Sequence, residues 1–299
     1  MAEPRLPVRL IALDIDGTLV GADLVIGERT QAAIGEAIRR GIAVSLVTGR
    51  MATSAVPFAE ALGLTGPIVA QQGALIREMP GPGPKRVGKL LFHRPLRPEI
   101  TSEIVSWCYE RDLTVHFNYL EWIIAGSGEE RLEEFRLFSG NRLQVVPDIP
   151  ARALGRVTKV VAIGNEDHGV DLQDEGRAHF SGKAHVTLSH PRFLEFMAPG
   201  ISKAVGVRWL ARRLGVELAQ CLVVGDGYND LEMIQEVGHG VAMPSAPAGV
   251  LAVARYVAPP VAEEGVAQII EQVALDGWRP RASAGMGPEQ GSRGRRIRP

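Results

Sequence analysis

LIALDIDGTLV, Leu10 to Val20, is the stretch on which the reading of this chain turns. Four apolar residues run into two aspartates one residue apart, Asp14 and Asp16, followed by Gly17 and Thr18. An apolar run without polar alternation predicts a strand covered on both faces, as in the middle of a parallel sheet. Two carboxylates so close at its tip repel one another, and that cost calls for something positive between them. Ligands of open α/β sheets bind at the carboxyl ends of the strands, so this tip is the first place to look for chemistry.

The flanking sequence carries the same rhythm. GERTQAAIGEAIRRG (27–41) spaces Ala33, Ile34, Ala37 and Ile38 for a helix that stops at Gly41. IAVSLVTG (42–49) predicts a second strand, MATSAVPFAEALG (51–63) a second helix, and PIVAQQGALI (67–76) a third strand. PGPGPKR (80–86) interrupts the pattern and reads as a linker or hinge. Beyond it come a strand in VGKLLFH, a helix in PEITSEIVSWCYERD, strands in LTVHFN and EWIIAG, and a helix in GEERLEEFRLFSG. Strands in VTKVVAIG, HVTLS and FLEFM follow, with a helix near VDLQDEGRAHF, and paired strands between helices predict an α+β unit. From about Ala198 the first rhythm returns: a helix in SKAVGVRWLARRLG, a strand in QCLVVGD, a helix in NDLEMIQEVG, short strands in HGVAMP and RYVAPP, and a closing helix in VAEEGVAQIIEQVAL. The expected fold is a doubly wound, mostly parallel, Rossmann-like α/β sheet with an inserted α+β domain. Its expected bounds are 1–82 and 192–278 for the core, 83–191 for the insert, and 279–299 for a disordered basic tail.

Composition narrows the function classes. The 299 residues are 45% hydrophobic and 22% charged, which describes a globular chain with a full core. No apolar run approaches the roughly 20 residues of a membrane span, and no signal-peptide pattern opens the chain, so a cytoplasmic protein is expected. Net charge is −1, but the last 21 residues hold six arginines and one glutamate; without them the body carries −6, which argues against nucleic acid as a partner. Cys108 and Cys221 stand far apart and suggest neither a disulfide nor a zinc site, and Cys221 reads as core.

Four polar groups fall at predicted strand or helix ends: Asp14-Ile15-Asp16-Gly17-Thr18, Thr48-Gly49-Arg50, Lys203 at the start of a helix, and Gly225-Asp226-Gly227-Tyr228-Asn229-Asp230. Each is weak alone. DxDG occurs in calcium loops, but the third acidic position and the closing glutamate are missing here, and a strand precedes it. As a set, Asp14, Asp16 and Asp226 are hard oxygen donors of the kind Mg²⁺ takes, and a divalent cation removes their mutual repulsion. Lys203, the Thr48 hydroxyl and backbone N–H groups after Asp16 make a cradle for a phosphate dianion. A carboxylate facing such a phosphate can attack phosphorus.

The set resembles the four motifs of the haloacid dehalogenase-like (HAD) superfamily, specifically its Cof-type phosphatases: DIDGTL, Thr48 in VTGR, Lys203 in PGISK, and GDGYND, in order over roughly Leu10 to Val273. EEGVAQII resembles the family's closing helix, and the insert resembles its large cap. The resemblance implies that Asp14 is the nucleophile and a Mg²⁺ ligand. It implies that Asp16 is the general acid/base and gives its backbone carbonyl to the metal, and that Asp226 is the second carboxylate ligand. Thr48 and Lys203 would hold the phosphoryl oxygens, with Gly17, Thr18, Gly49, Arg50 and Asn229 lining the phosphate site, and Asn229 and Asp230 steadying the metal's water shell and Lys203. The implied activity is a Mg²⁺-dependent phosphatase of small phosphorylated metabolites, sugar phosphates foremost, acting through an aspartyl-phosphate as a monomer or weak homodimer. A sugar phosphomutase and a non-catalytic phosphometabolite-binding regulator are the alternatives.

Two positions depart from the family pattern. Gln72-Gly73 stands where Asn-Gly is usual, and Pro244-Ser245-Ala246 follows Met243 where Gly-Asn-Ala is frequent. Arg50 has two readings, substrate contact and a salt bridge at a helix start. His116, His190, Phe117, Tyr119 and Trp122 fall in the insert, where packing competes with substrate contact.

Overall fold

The computed structural model describes residues 7–83, 86–126, 142–146, 155–164 and 169–276. The helix expected at 128–140 and the basic tail at 279–299 lie outside the described residues.

In chain order the first part supplies β1 (Leu10–Leu13), α1 (Glu28–Arg39), β2 (Ala43–Leu46), α2 (Ala52–Ala61), β3 (Ile68–Ala70), β4 (Leu75–Arg77) and β5 (Leu90–His93). The middle supplies α3 (Pro98–Tyr109), β6 (Thr114–Tyr119), β7 (Trp122–Gly126), β8 (Leu143–Val146), β9 (Lys159–Ile163), α4 (Gly169–His179), β10 (His185–His190) and β11 (Phe193–Met197). The last part supplies α5 (Lys203–Leu214), β12 (Cys221–Gly225), α6 (Leu231–Glu236), β13 (His239–Ala242), α7 (Ala248–Val253), β14 (Tyr256–Val257) and α8 (Gly265–Ile269).

The core sheet has the order β14-β13-β12-β1-β2, and all its pairings are parallel. The apolar run at Leu10–Leu13 is buried on both faces because successive side chains point to opposite sides. Ile11 and Leu13 pack with α1, α2 and α8 through Ala33, Ile34, Phe58 and Val266. Leu10 and Ala12 pack with α5, α6 and α7 through Ala204, Val207, Ile234 and Val250. Two layers of helices over one parallel sheet is the expected doubly wound architecture. Each such buried aliphatic side chain contributes about 1.5–3 kcal/mol, so truncating Ile11 to alanine would cost about 2–5 kcal/mol.

The stretch expected as one third strand is a hairpin. β3 and β4 pair antiparallel, Ile68 opposite Arg77, and β5 adds to β4. Gln71, Gln72 and Gly73 all take positive φ and reverse the chain. VGKLLFH therefore joins the side sheet of the core, and Pro80–Gly83 falls in the β4–β5 connection, with Glu78 N–H donating to Lys89 O at 3.0 Å beside it. Pro80 and Pro82, without an N–H, cannot extend that ladder.

The inserted sheet has the order β10-β11-β9-β6-β7-β8, antiparallel except for the β7–β8 pair. One face carries Val115, Phe117, Val160, Ala162, Leu194 and Phe196 into a core closed by Ile100, Ile104 and Trp107 of α3 and by Phe180. Strand register puts His116, Asn118, Lys159, Thr187 and Glu195 on the other face. β11 is part of this sheet, which therefore extends past residue 191. Among the described residues no helix is long and apolar enough to cross a membrane.

Candidate active site

The end of β1, the end of β12 and the start of α5 meet at one point. Asp14 follows β1 directly and is anchored by its N–H donating to Val224 O at 3.1 Å. Lys203 is the first residue of α5, where a side chain leans back toward the helix N-terminal end. Its ammonium lies 2.7 Å from Asp14 Oδ1 and 2.7 Å from Asp230 Oδ1, fully buried. Asp230 Oδ2 accepts from the N–H groups of Asp226 and Gly227, each at 3.0 Å. Thr18 Oγ1 donates to Asp226 Oδ1 at 3.2 Å.

Carboxylate oxygens of Asp14, Asp226 and Asp230 lie within 4.8 Å of one another. Burial raises the Asp14 carboxyl well above the ordinary range, and Asp230, Asp226 and Asp16 add to it against the pull of Lys203. Burial and Asp230 push Asp226 up to about 6. Lys203 is desolvated, yet Asp14 and Asp230 hold its ammonium above the usual lysine value. Like charges held this close in a buried site fit a divalent, oxygen-seeking cation. Asp230 already has both oxygens engaged, which leaves Asp14 and Asp226 as the carboxylates free to face such an ion.

Gly17 is required twice over. Its φ is +74°, and a Cβ built on it would stand 2.3 Å from Asp226 Oδ2. Its N–H donates to Val20 O at 3.0 Å and closes the turn after Asp16. Asp16 is exposed and is not one of the three clustered carboxylates. Arg50 Nε donates to Asp16 Oδ2 at 2.7 Å, and Arg50 Nη2 donates to its other oxygen. This bidentate pair takes the salt-bridge reading of Arg50, while Arg50 also stacks over Phe58 at 5.0 Å. Thr48 is buried, its Oγ1 accepting from Arg50 N–H at 3.1 Å. Asn229 Nδ2 donates to Gln72 Oε1 at 3.2 Å, so Asn229 braces the site's rim.

Two site neighbours escape a motif reading. Lys159 of β9 donates to Gly49 O at 3.1 Å and to Glu195 Oε1 at 2.7 Å, bringing a buried ion pair of the inserted sheet against the Thr48-Gly49-Arg50 loop. Their only signal in the sequence is a charge in the middle of an apolar strand, TKVVAI and FLEFM. His116 is buried on the same face and its imidazole is pushed down to about 3 by burial and by Lys159, so it is a neutral ring. Phe117 is on the opposite, apolar face, which settles it as packing. The side chain of His190 lies outside the described residues.

A family model described as haloacid dehalogenase-like hydrolase matches residues 11–270. The HMP-PP phosphatase of Serratia proteamaculans is 30% identical over 239 residues, 80% of this chain and 84% of that protein. A haloacid dehalogenase-like hydrolase from Bacteroides thetaiotaomicron superposes with a TM-score of 0.73 at 26% identity, over 89% of this chain and 99% of the other. A HAD subclass IIB sugar phosphatase shares the fold, with a TM-score of 0.74 at 21% identity over 89% of this chain and 98% of its own.

Proposed function

The chain belongs to the haloacid dehalogenase-like hydrolases, and from that premise we propose a Mg²⁺-dependent phosphatase of small phosphorylated metabolites that works through an aspartyl-phosphate on Asp14. The observation that carries the proposal is the buried Asp14–Lys203–Asp230 arrangement beside Asp226 at the end of β1.

Asp14 is held by Lys203 through Oδ1. In the proposed first step its carboxylate oxygen bonds to phosphorus while the bond to the ester oxygen breaks, and Asp16 gives that oxygen a proton. In the second step Asp16 takes a proton from water, the water oxygen bonds to phosphorus, and the Asp14–phosphorus bond breaks to release phosphate. Lys203 and the Thr48 hydroxyl hold the phosphoryl oxygens. Asp16 must leave Arg50 to reach the ester oxygen, so their ion pair is a resting arrangement. Asp14, Asp226 and the Asp16 backbone carbonyl would hold Mg²⁺, which when bound offsets the charge of phosphate beside carboxylates.

The division into core and lid belongs to the same proposal. The lid is the unit built on the six-stranded sheet, and strand membership supports edges at residues 94–97 and 198–202 in place of 83 and 191. Sugar monophosphates are the leading substrate class. The relatives named HMP-PP phosphatases favour that substrate as the second reading.

Asp14→Asn removes the attacking oxygen and should lower turnover at least about 10³-fold, several kcal/mol of barrier. Turnover of p-nitrophenyl phosphate by the purified, folded variant near the parent rate would refute the assignment. Activity should vanish in EDTA and return with Mg²⁺; full activity in chelator would sink the metal.

A further inference from the structure

The lid meets the Thr48-Gly49-Arg50 loop through a closed circuit of buried and part-buried hydrogen bonds. Gln72 N–H donates to Thr48 O at 3.0 Å. The Gln72 side chain accepts from Asn229 at 3.2 Å and donates through Nε2 to Glu195 Oε2 at 2.7 Å. Glu195 Oε1 accepts from Lys159 Nζ at 2.7 Å and from Ser189 Oγ at 2.8 Å. Lys159 Nζ then donates to Gly49 O at 3.1 Å and returns to the loop where the circuit began. Gly49 itself allows the approach, because a Cβ there would stand 2.5 Å from Gln72 Nε2.

From this circuit we infer that Lys159, Glu195 and Gln72 are positioning residues: closing the lid fixes the Thr48-Gly49-Arg50 loop in its phosphate-holding shape. The inference rests on the phosphatase reading for its kinetic consequences only. Three facts carry it. The Lys159–Glu195 pair is buried, and a buried ion pair is seldom kept for stability alone, since an apolar pair of similar volume often serves as well. Both charges stand on the lid face that meets the core, and among the described residues their side chains bond, besides Ser189, to Gly49 O next to Thr48 and to Gln72, whose N–H donates to Thr48 O. Gln72 holds a φ of +58°, a conformation that persists in a non-glycine residue only where the surroundings hold it.

A residue that grips the leaving group matters only for substrates with something to grip. A residue that shapes the phosphate loop matters for every ester. Lys159→Met, Lys159→Arg and the double variant Lys159→Met/Glu195→Met test the difference in the full chain with Mg²⁺; the double variant leaves no orphaned charge should the single one fold poorly. Lys159→Met and the double variant should lose about 10- to 100-fold in kcat on p-nitrophenyl phosphate and on a hexose monophosphate alike, with KM little changed, as a slightly misplaced cradle requires. Lys159→Arg should recover part of the loss. Amide hydrogen exchange across residues 48–50 should quicken in both methionine variants. A loss confined to the hexose ester, a change in KM alone, or unaltered exchange at 48–50 would each overturn the inference. If the parent hydrolyses neither ester the phosphatase reading falls, and the exchange measurement alone still decides this one.

Discussion

Asp226 shows how burial and like charge set the terms of metal binding. Its carboxyl is held up at about 6, above its ordinary 3.8, so the fold favours the protonated form. The sign follows: folding gains from that proton at low pH, and the gain is lost as pH rises from the ordinary carboxylate range through about 6. A cation must displace the proton, so Mg²⁺ affinity should weaken roughly tenfold per pH unit below that point. Calorimetric Mg²⁺ titrations at pH 5 and 7.5 check it, and equal affinity at both would be the contrary result. Asp16 carries a separate expectation at the same scale. Asp16→Asn should slow a sugar phosphate by about 10²–10⁴-fold and p-nitrophenyl phosphate much less, because p-nitrophenolate departs without a proton. Equal slowing of both would remove Asp16 from the acid role. The placement of Asp14 and Asp16 at a strand tip was legible in DIDGTLV, that of Asp226 in GDGYND and that of Lys203 at a helix start in GISK, because strand tips and helix starts are set locally. The Asp16–Arg50 pair was not, since nothing in the sequence tells which charge a surface arginine will meet across 34 positions.

At the scale of the element, period decides what can be read. The core strands are continuous apolar runs and were legible as a buried parallel sheet. The Gln71–Gly73 reversal was not, because consecutive positive φ values at two glutamines run against residue preference and are held by tertiary bonds, among them Gln72 N–H to Thr48 O. The lid strands alternate, and the alternation separates packing from contact: Phe117 belongs to the helix-covered face, while Asn118 beside it shares the face of Lys159. Asn118 Oδ1 and Thr187 Oγ1 on that face are buried with no hydrogen-bond partner among the described residues. Unpaired buried polar atoms cost about 1–3 kcal/mol each, a cost that a bound leaving group with hydroxyls would relieve. Asn118→Ala and Thr187→Val should therefore lower kcat/KM for hydroxyl-rich phosphate esters about tenfold and leave p-nitrophenyl phosphate near the parent value. A parallel comparison of the two ester types decides it, and an equal effect on both would make these residues structural.

Across the whole molecule the question is how substrate reaches Asp14, which is only 5% exposed. The lid is fastened at a second point. Glu121, in the turn between β6 and β7, takes a bond from Arg77 Nε at 2.8 Å and from Thr53 N–H at 3.1 Å, and Gln71 donates to Leu120 O next to it. Glu121 and Arg77 are 44 positions apart and lie in segments with no motif, so this fastening was invisible until the two sheets were seen together. Removing Arg77 leaves Glu121 buried without its cation only while the lid is shut, so the charge favours an open lid, where water solvates it. Arg77→Gln should raise the radius of gyration in solution scattering. It should also lower kcat/KM by about the same factor for every ester, roughly tenfold for each 1.4 kcal/mol by which closure is weakened. Glu121→Gln keeps one acceptor oxygen and removes the charge, and should fall between this variant and the parent. Should Arg77→Gln scatter like the parent and keep its kinetics, closure would rest on the Lys159–Glu195 circuit alone, and the Glu121 contact would be packing without consequence for access.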